Sequence, residues 1–240
     1  MRAVICGANG AMGKLLQQRF DEIAGLVSID GENGVARTFG ELGDVNPEVV
    51  VDFSHHSAAP QAAEYAVMNG CALVIGTTAH TEEEKAAIYA AAEKIPVFYA
   101  GNMSLGIAVL CRLAKEAAKS FPDADIEIVE IHHNRKVDAP SGTAKMLFEA
   151  VKEVRPQATA HCGRAGEGKR TTDEIGISSL RMGGIVGIHE VHICTASQRL
   201  TLRHEASDRG MFADGAKAAA EFIFGKRAGL YNMENLLENC

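Results

Sequence analysis

The chain has 240 residues, 47% of them apolar and 23% charged, with a formal net charge of −7. This suits one large domain or two smaller ones with real cores, and it argues against a disordered chain. An acidic chain without a basic block is a poor partner for nucleic acid or an anionic membrane surface, although a small anionic substrate needs only a local basic spot.

The first apolar run, Ala3 to Cys6, leads into the glycine-rich turn "GANGAMG". A helical pattern follows, with Met12, Leu15, Leu16 and Phe20 on one face. "AGLVSID" reads as a second buried strand ending in Asp30, and Val49 to Phe53 as a third. "APQAAEYAVMNG" reads as a helix closed by Gly70, and "CALVIGTT" as a fourth strand. "TEEEKAAIYAAAEK" is the next helix, with Thr81 as its N-cap and acids in its first turn; "IPVFYAGN" is the fifth strand. Strands that are apolar throughout and alternate with helices predict a doubly wound parallel sheet of Rossmann type, an α/β fold covered on both faces.

The rhythm changes after Asn102. A helix, "SLGIAVLCRLAKEAAKSF", leads to the strand "DIEIVEI", a polar loop, and a helix from about Thr143 to Val154. From Ala158 several glycine-punctuated strands come consecutively, which predicts a mixed or antiparallel sheet in a second, α+β domain. "FADGAKAAAEFIFGK" returns to a helical pattern before a short tail. With no low-complexity linker, the domain change is a switch of topology near residue 103.

Six cysteines, Cys6, Cys71, Cys111, Cys162, Cys194 and Cys240, scatter along the chain without a C-x-x-C pair, so reduced thiols are expected. "MRAVICGANG" does not fit a signal peptide, and no apolar run approaches the ~18 residues that span a bilayer. A cytoplasmic protein is the expectation.

Gly7, Gly10 and Gly13 have the spacing G-x-x-G-x-x-G between the first strand and its helix. Glycines there allow a tight turn and close backbone approach to a pyrophosphate at the helix start; Asp30 stands where an acid hydrogen-bonds a ribose 2′-hydroxyl. The alternative is a glycine turn with no ligand. Asp30 favours NADH over NADPH, because a carboxylate repels a 2′-phosphate, and Gly31 and Glu32 offer no arginine to reverse that. Gly76, Thr77 and Thr78 end the fourth strand, and Ala100, Gly101, Asn102 and Met103 follow the fifth. Ligands of such sheets lie beyond these strand ends, although ordinary turns use the same residues.

The segment "EIVEIHHNRKVDAPSGTAKML", Glu127 to Leu147, concentrates proton carriers. A metal site lacks a third ligand at a recognisable spacing, and His189 and His192 of "HEVH" read as structural residues on a strand. A bland polar loop is one reading. Proton chemistry on an anionic substrate is the other. It rests on His132 as a neutral-pH proton carrier, Lys136 as a cation, and Ser141, Gly142 and Thr143 at a helix start that can hold a carboxylate.

Nearly the whole chain resembles the dihydrodipicolinate reductases (4-hydroxy-tetrahydrodipicolinate reductases) of lysine biosynthesis. "GANGAMGK", "VDFS", "VIGTT", "NMSLG", "EIVEIHHNRKVDAPSGTA", "SLRMGGIVGIHEV" and "LRHEASDRGMFADGA" follow that family's order. The resemblance implies His132 as acid/base group and Lys136 as second proton donor, with His133, Gly142 and Thr143 on the substrate. It implies that Gly7, Ala8, Asn9, Gly10, Ala11, Met12, Asp30, Gly76, Thr77, Thr78, Ala100, Gly101, Asn102 and Met103 line the cofactor. The implied reaction passes hydride from NADH or NADPH to a cyclic dicarboxylate derived from pyruvate and aspartate semialdehyde, and adds a proton at the neighbouring carbon; the residue spacing gives no metal to expect. The resemblance also implies a homotetramer and a discontinuous cofactor domain, 1–103 with 208–240, around a substrate and oligomerisation domain, 104–207. The chain is shorter than the family pattern around "GENGVARTFGEL", after Asp30. An aspartate dehydrogenase-like enzyme and a non-catalytic NAD-binding regulator are the competing readings.

Overall fold

Short apolar strands separated by helices form an all-parallel six-stranded sheet in the computed structural model, which describes residues 1–32 and 34–239. The chain divides into two units, Met1–Leu105 with Arg209–Cys240, and Gly106–Asp208. The first unit opens with β1 (Arg2–Cys6), α1 (Ala11–Gln17), β2 (Glu22–Val27) and β3 (Val49–Asp52). It continues with α2 (Ala59–Asn69), β4 (Ala72–Ile75), α3 (Glu82–Ala92) and β5 (Pro96–Tyr99). After the second unit come α6 (Gly210–Ile223), β11 (Gly229–Tyr231) and α7 (Met233–Leu237). The strand order is β11-β5-β4-β3-β1-β2.

Alternate strand residues Val4, Cys6, Val50, Leu73, Ile75 and Val97 share a core with the apolar sides of α2 and α3. Thr81 caps α3 with a reciprocal box: its side chain accepts from the Glu84 N–H, and the Glu84 carboxylate accepts from the Thr81 N–H. Gly70 ends α2 in the left-handed conformation, φ 61°. Phe222 of α6 meets Phe98 of β5 edge-on at 6.3 Å. The tail expected after α6 contains β11, which pairs with β5. A three-residue strand carries no readable period-2 signal, so only its neighbour reveals it.

Gly215 allows α6 a close approach to the segment after β5. A Cβ there would stand 1.6 Å from the Met103 carbonyl oxygen. Gly215→Ala is therefore expected to lower stability by about 1–3 kcal/mol through overpacking, although alanine is the better helix former. The urea midpoint should fall with an unchanged slope. An unchanged midpoint would show that the approach is not this close in solution.

The second unit runs α4 (Leu105–Ser120), β6 (Asp125–His132), α5 (Gly142–Lys152), β7 (Thr159–Cys162), β8 (Glu174–Arg181), β9 (Gly187–Cys194) and β10 (Arg199–Ala206). Its sheet has the order β10-β9-β6-β8-β7. β6 is parallel to β8 and antiparallel to β9, so the sheet is mixed as expected. Ile107, Leu110, Ala114 and Ala118 of α4 pack with Leu147 and Val151 of α5 on Ile126, Ile128, Ile175, Ile177, Val191 and Ile193. No helix among the described residues is long and apolar enough to cross a membrane. Cys6, Cys71, Cys111, Cys162 and Cys194 are free thiols; Cys240 lies outside the described residues.

Candidate active site

Two clusters stand out, one in each unit. In the first unit, Gly7 has φ +82°, and a Cβ on it would stand 2.5 Å from the Phe53 carbonyl oxygen. A side chain is excluded there both by conformation and by space. A Cβ on Gly13 would meet the Gly7 carbonyl oxygen at 2.2 Å, so α1 packs directly on the turn. Bare backbone between β1 and α1 is the surface that lets a pyrophosphate approach closely, and the cradle fits a dinucleotide.

Asp30 lies beyond β2 and not at its last residue, because β2 ends at Val27 and Asp30 sits in an exposed turn. Asn9 of the glycine turn donates its Nδ2 to Asp30 Oδ1 at 2.5 Å. This hydrogen bond lowers the Asp30 pKa and keeps the side chain a carboxylate. Arg37 lies close by. The N–H groups of Ser28 and Ala36 bond across to the carbonyls of Ala36 and Leu26, so the 35–37 segment runs along β2. A Cβ on Gly31 would stand 2.3 Å from Arg37 Cγ and 2.7 Å from its Nε. An arginine therefore stands beside Gly31, although none directly follows Asp30 in the sequence.

Gly76, Thr77 and Thr78 follow β4, while Ala100, Gly101, Asn102 and Met103 follow β5. The Ser54 N–H donates to Thr77 Oγ1 at 3.0 Å, joining the ends of β3 and β4. Asn102 Oδ1 accepts from the Ser104 N–H at 2.9 Å, and Met103 is buried. These residues gather at the carboxyl ends of adjacent strands with the glycine turn.

The second cluster follows from strand alternation. Ile126 and Ile128 face the helices, so Glu130 and His132 face the same way further along β6. β8 carries Ile175, Ile177, Ser179 and Arg181 on that face, and β9 carries Val191 and His189. Pairing sets Arg181 opposite His132, with Ser179 and His189 opposite Glu130. The apolar stripe therefore ends in a polar group, covered by the start of α5.

Glu130 is fully buried. Arg181 grips it with two N–H groups, Nη1 to Oε2 at 2.9 Å and Nη2 to Oε1 at 2.8 Å. The Ser141 N–H donates to Oε1 at 3.2 Å, and His132 Nδ1 lies 2.5 Å from Oε2. Burial penalises the Glu130 charge, but hydrogen bonds from Arg181, Ser179, His132 and Ser141 prevail and hold its pKa near 2. Burial depresses the His132 pKa, and Glu130 pulls it the other way. His189 stacks edge-on with His132 at 5.1 Å, and its Nε2 lies 3.2 Å from Ser141 Oγ. Burial and the neighbouring His132 push the His189 pKa down to about 4, so it is neutral at pH 7.

Ser141 caps α5, its hydroxyl accepting from the Ala144 N–H at 3.2 Å. The first turn of α5 has no acidic residue, and the space above Gly142 is open. Lys136 stands in the loop between β6 and α5, with Nζ 2.7 Å from Asp138 Oδ1. The His133 N–H donates to the Ile185 carbonyl at 2.7 Å. The structure thus gathers His132, His133, Lys136, Gly142 and Thr143 around one strand end. It adds Glu130 and Arg181, together with His189, which the sequence pattern presents as a structural residue. The period-2 continuation Ile126, Ile128, Glu130, His132 was the signal for Glu130. Arg181 and His189 needed the strand pairing. His192 points elsewhere, to Thr201 and Glu190.

Two family models cover the chain: "Dihydrodipicolinate reductase, N-terminus" matches residues 1–103 and "Dihydrodipicolinate reductase, C-terminus" matches residues 106–237. The 4-hydroxy-tetrahydrodipicolinate reductase of Alkaliphilus metalliredigens is 39% identical over 99% of this chain and 99% of its own. That of Caulobacter vibrioides is 42% identical over 99% of this chain and 97% of its own. Among solved structures, dipicolinate-bound dihydrodipicolinate reductase from Paenisporosarcina sp. TG-14 has a TM-score of 0.79 at 25% identity, covering 97% of each chain. Aspartate dehydrogenase from Thermotoga maritima has a TM-score of 0.53 at 14% identity, over 95% of this chain and 98% of its own, a likeness of fold alone.

Proposed function

The chain belongs to the dihydrodipicolinate reductase family, NAD(P)H-dependent oxidoreductases of lysine and diaminopimelate biosynthesis, and we propose that His132 and Lys136 carry its proton chemistry. The observation that carries this reading is the buried imidazole tied to Glu130 at one end of β6, followed by Lys136 and the open start of α5. The substrate is 4-hydroxy-tetrahydrodipicolinate, a cyclic dicarboxylate. A bound nicotinamide supplies the hydride. Loss of the 4-hydroxyl with a hydrogen of the neighbouring ring carbon, as water, leaves a double bond conjugated to the ring imine. The hydride is accepted at the carbon that bore the hydroxyl, the neighbouring carbon then needs a proton, and His132, with Nδ1 committed to Glu130, offers Nε2 for that exchange. A Cβ on Gly187 would come within 3.1 Å of His132 Nε2, so the ring edge faces bare backbone on that side. Lys136 supplies positive charge and a second proton. The N–H groups of Gly142 and Thr143 hold one substrate carboxylate, and His133 contacts the substrate. The first unit holds the dinucleotide with Gly7 to Met12, Asp30, Gly76 to Thr78 and Ala100 to Met103.

The test follows loss of NADH or NADPH absorbance. The substrate is generated in place from pyruvate and aspartate semialdehyde by the synthase that condenses them. Oxidation that depends on every component is the expected result. No oxidation with either nucleotide, by folded protein that binds NADH, would move the assignment to another dehydrogenase or to a regulator.

On cofactor choice, Asp30 favours the ribose hydroxyls of NADH, while Arg37 gives a 2′-phosphate a cationic partner. Both nucleotides are then accepted. Arg37→Ala is expected to weaken NADPH binding roughly tenfold and leave NADH binding nearly unchanged, the worth of one charge-assisted contact at an exposed site. Titrating each nucleotide against protein fluorescence or heat reads this without turnover. Equal loss for both nucleotides would remove Arg37 from phosphate recognition. The active species is expected to be a homotetramer, and sedimentation would give its mass.

A further inference from the structure

We propose that Glu130, clamped by Arg181, is a positioning residue that fixes His132 in the tautomer with its proton on Nδ1 and so reserves Nε2 for the substrate. The inference rests on the reading of His132 given above. An unconstrained neutral histidine side chain prefers its proton on Nε2, so a tautomer with Nδ1–H must be held by an acceptor. Glu130 Oε2 is that acceptor, 2.5 Å from Nδ1. An ionised carboxylate accepts only; the pairing therefore places the proton on the histidine.

Three features keep Glu130 ionised and still. Arg181 binds both of its oxygens, which fixes the plane of the carboxylate as well as its charge. The Ser141 N–H adds a third donor from the start of α5. Arg181 Nη1 also donates to the Leu180 carbonyl at 2.8 Å and Nη2 to the Asp138 carbonyl at 2.6 Å. The clamp is thus anchored to β8 and to the loop that carries Lys136. His189 closes the other side of the imidazole at 5.1 Å. Its Nε2 is engaged with Ser141 Oγ, and its Nδ1 is buried without a partner among the described residues. The charged and titratable groups facing His132 are accordingly Glu130, Arg181, Lys136 and His189. Glu130 stabilises the protonated imidazole, while burial, Lys136 and Arg181 oppose it.

The arrangement is an orienting carboxylate behind an acid/base histidine, reached here by strand alternation. Glu130 touches no reacting atom; it acts through His132. Glu130→Gln keeps the shape but removes the charge, leaves Arg181 with carbonyl partners and no carboxylate, and lets the amide donate to Nδ1.

The test uses the full-length enzyme with 15N-labelled histidine. In the wild type, the neutral His132 ring should show the proton on Nδ1. In Glu130→Gln the population should move toward the Nε2–H form. Turnover should fall on the order of 100-fold, between the loss of an outer partner of a metal-bound histidine and that of a wrong tautomer in an acyl-transfer triad. KM should change little. The descending alkaline limb of kcat should move to lower pH, because the carboxylate that retains the His132 proton is gone. A purely structural role would change stability without moving the tautomer or that limb. An Nε2–H wild-type ring would overturn the proposal with no variant needed, which covers the case that Glu130→Gln does not fold. So would an unchanged tautomer and pH profile in the folded variant. Turnover of His132→Gln, measured in parallel, keeps the two readings apart. If it matches the wild type, the acid/base assignment fails, whereas the tautomer result concerns Glu130 alone.

Discussion

Replacing His132 with glutamine, or Lys136 with alanine, is expected to cut kcat by roughly 10²–10⁴-fold while leaving NADH affinity nearly unchanged. The range is what a positioned proton donor contributes to a transition state. The nucleotide should be indifferent, because the residues proposed to hold it belong to the first unit and both substitutions lie in the second. Glutamine preserves the size of the imidazole and a hydrogen bond to Glu130 but cannot exchange a proton near neutral pH. Lys136→Ala removes a cation whose nearest acid, Asp138, is itself exposed, so its folding cost should be small. Steady-state kinetics with in situ substrate, beside a nucleotide titration, reads both quantities. Near wild-type turnover in both variants would take these residues out of the chemistry. A parallel collapse of NADH binding would point to a disturbed fold.

Acidification is expected to weaken the fold in two overlapping steps. Burial holds His189 neutral in the folded chain, with a pKa of about 4 against an ordinary 6.5. Between these values the unfolded chain binds a proton that the folded chain refuses, so stability falls as pH drops from 6.5 toward 4. The loss is on the order of 3 kcal/mol for this residue. His132, depressed by burial, adds loss of the same sign. Glu130 titrates near 2 when folded and near 4.5 when unfolded, so its contribution is complete above 4.5 and is lost below it. Urea midpoints between pH 7.5 and pH 3, set by buffer, should fall throughout that window. His189→Gln keeps a partner for Ser141 but has no proton to gain, so its curve should be flatter between pH 6.5 and pH 4. Parallel curves for the variant and the wild type would mean that His189 is not held neutral.

Much of this was legible along the chain because the signals are local. An apolar strand followed by "GANGAMG" and a helix needs only neighbouring residues to point to a glycine turn between them, and alternating strands and helices show a parallel sheet. "HHNRKVDAPSGT" places a histidine, a lysine and a helix cap within one loop, so the core of the proposed catalytic group stands in one local stretch of sequence. The boundary at Asp30 was less secure. "AGLVSID" reads as one apolar run, yet pairing with β1 ends at Val27, and Asn9 rather than the strand fixes the carboxylate.

By itself, then, the sequence determined the sheet types, the glycine turn and the proton-carrying loop, because each depends on periodicity or on residues close in the chain. Tertiary structure decided what surrounds them. Arg37 reaches Gly31 only because the 35–37 segment lies along β2. Arg181 and His189 reach Glu130 and His132 only because β6 is flanked by β8 and β9 in one particular register. A shift of one residue would turn those side chains to the opposite face of the sheet, and strand register is set by long-range pairing that no local pattern encodes.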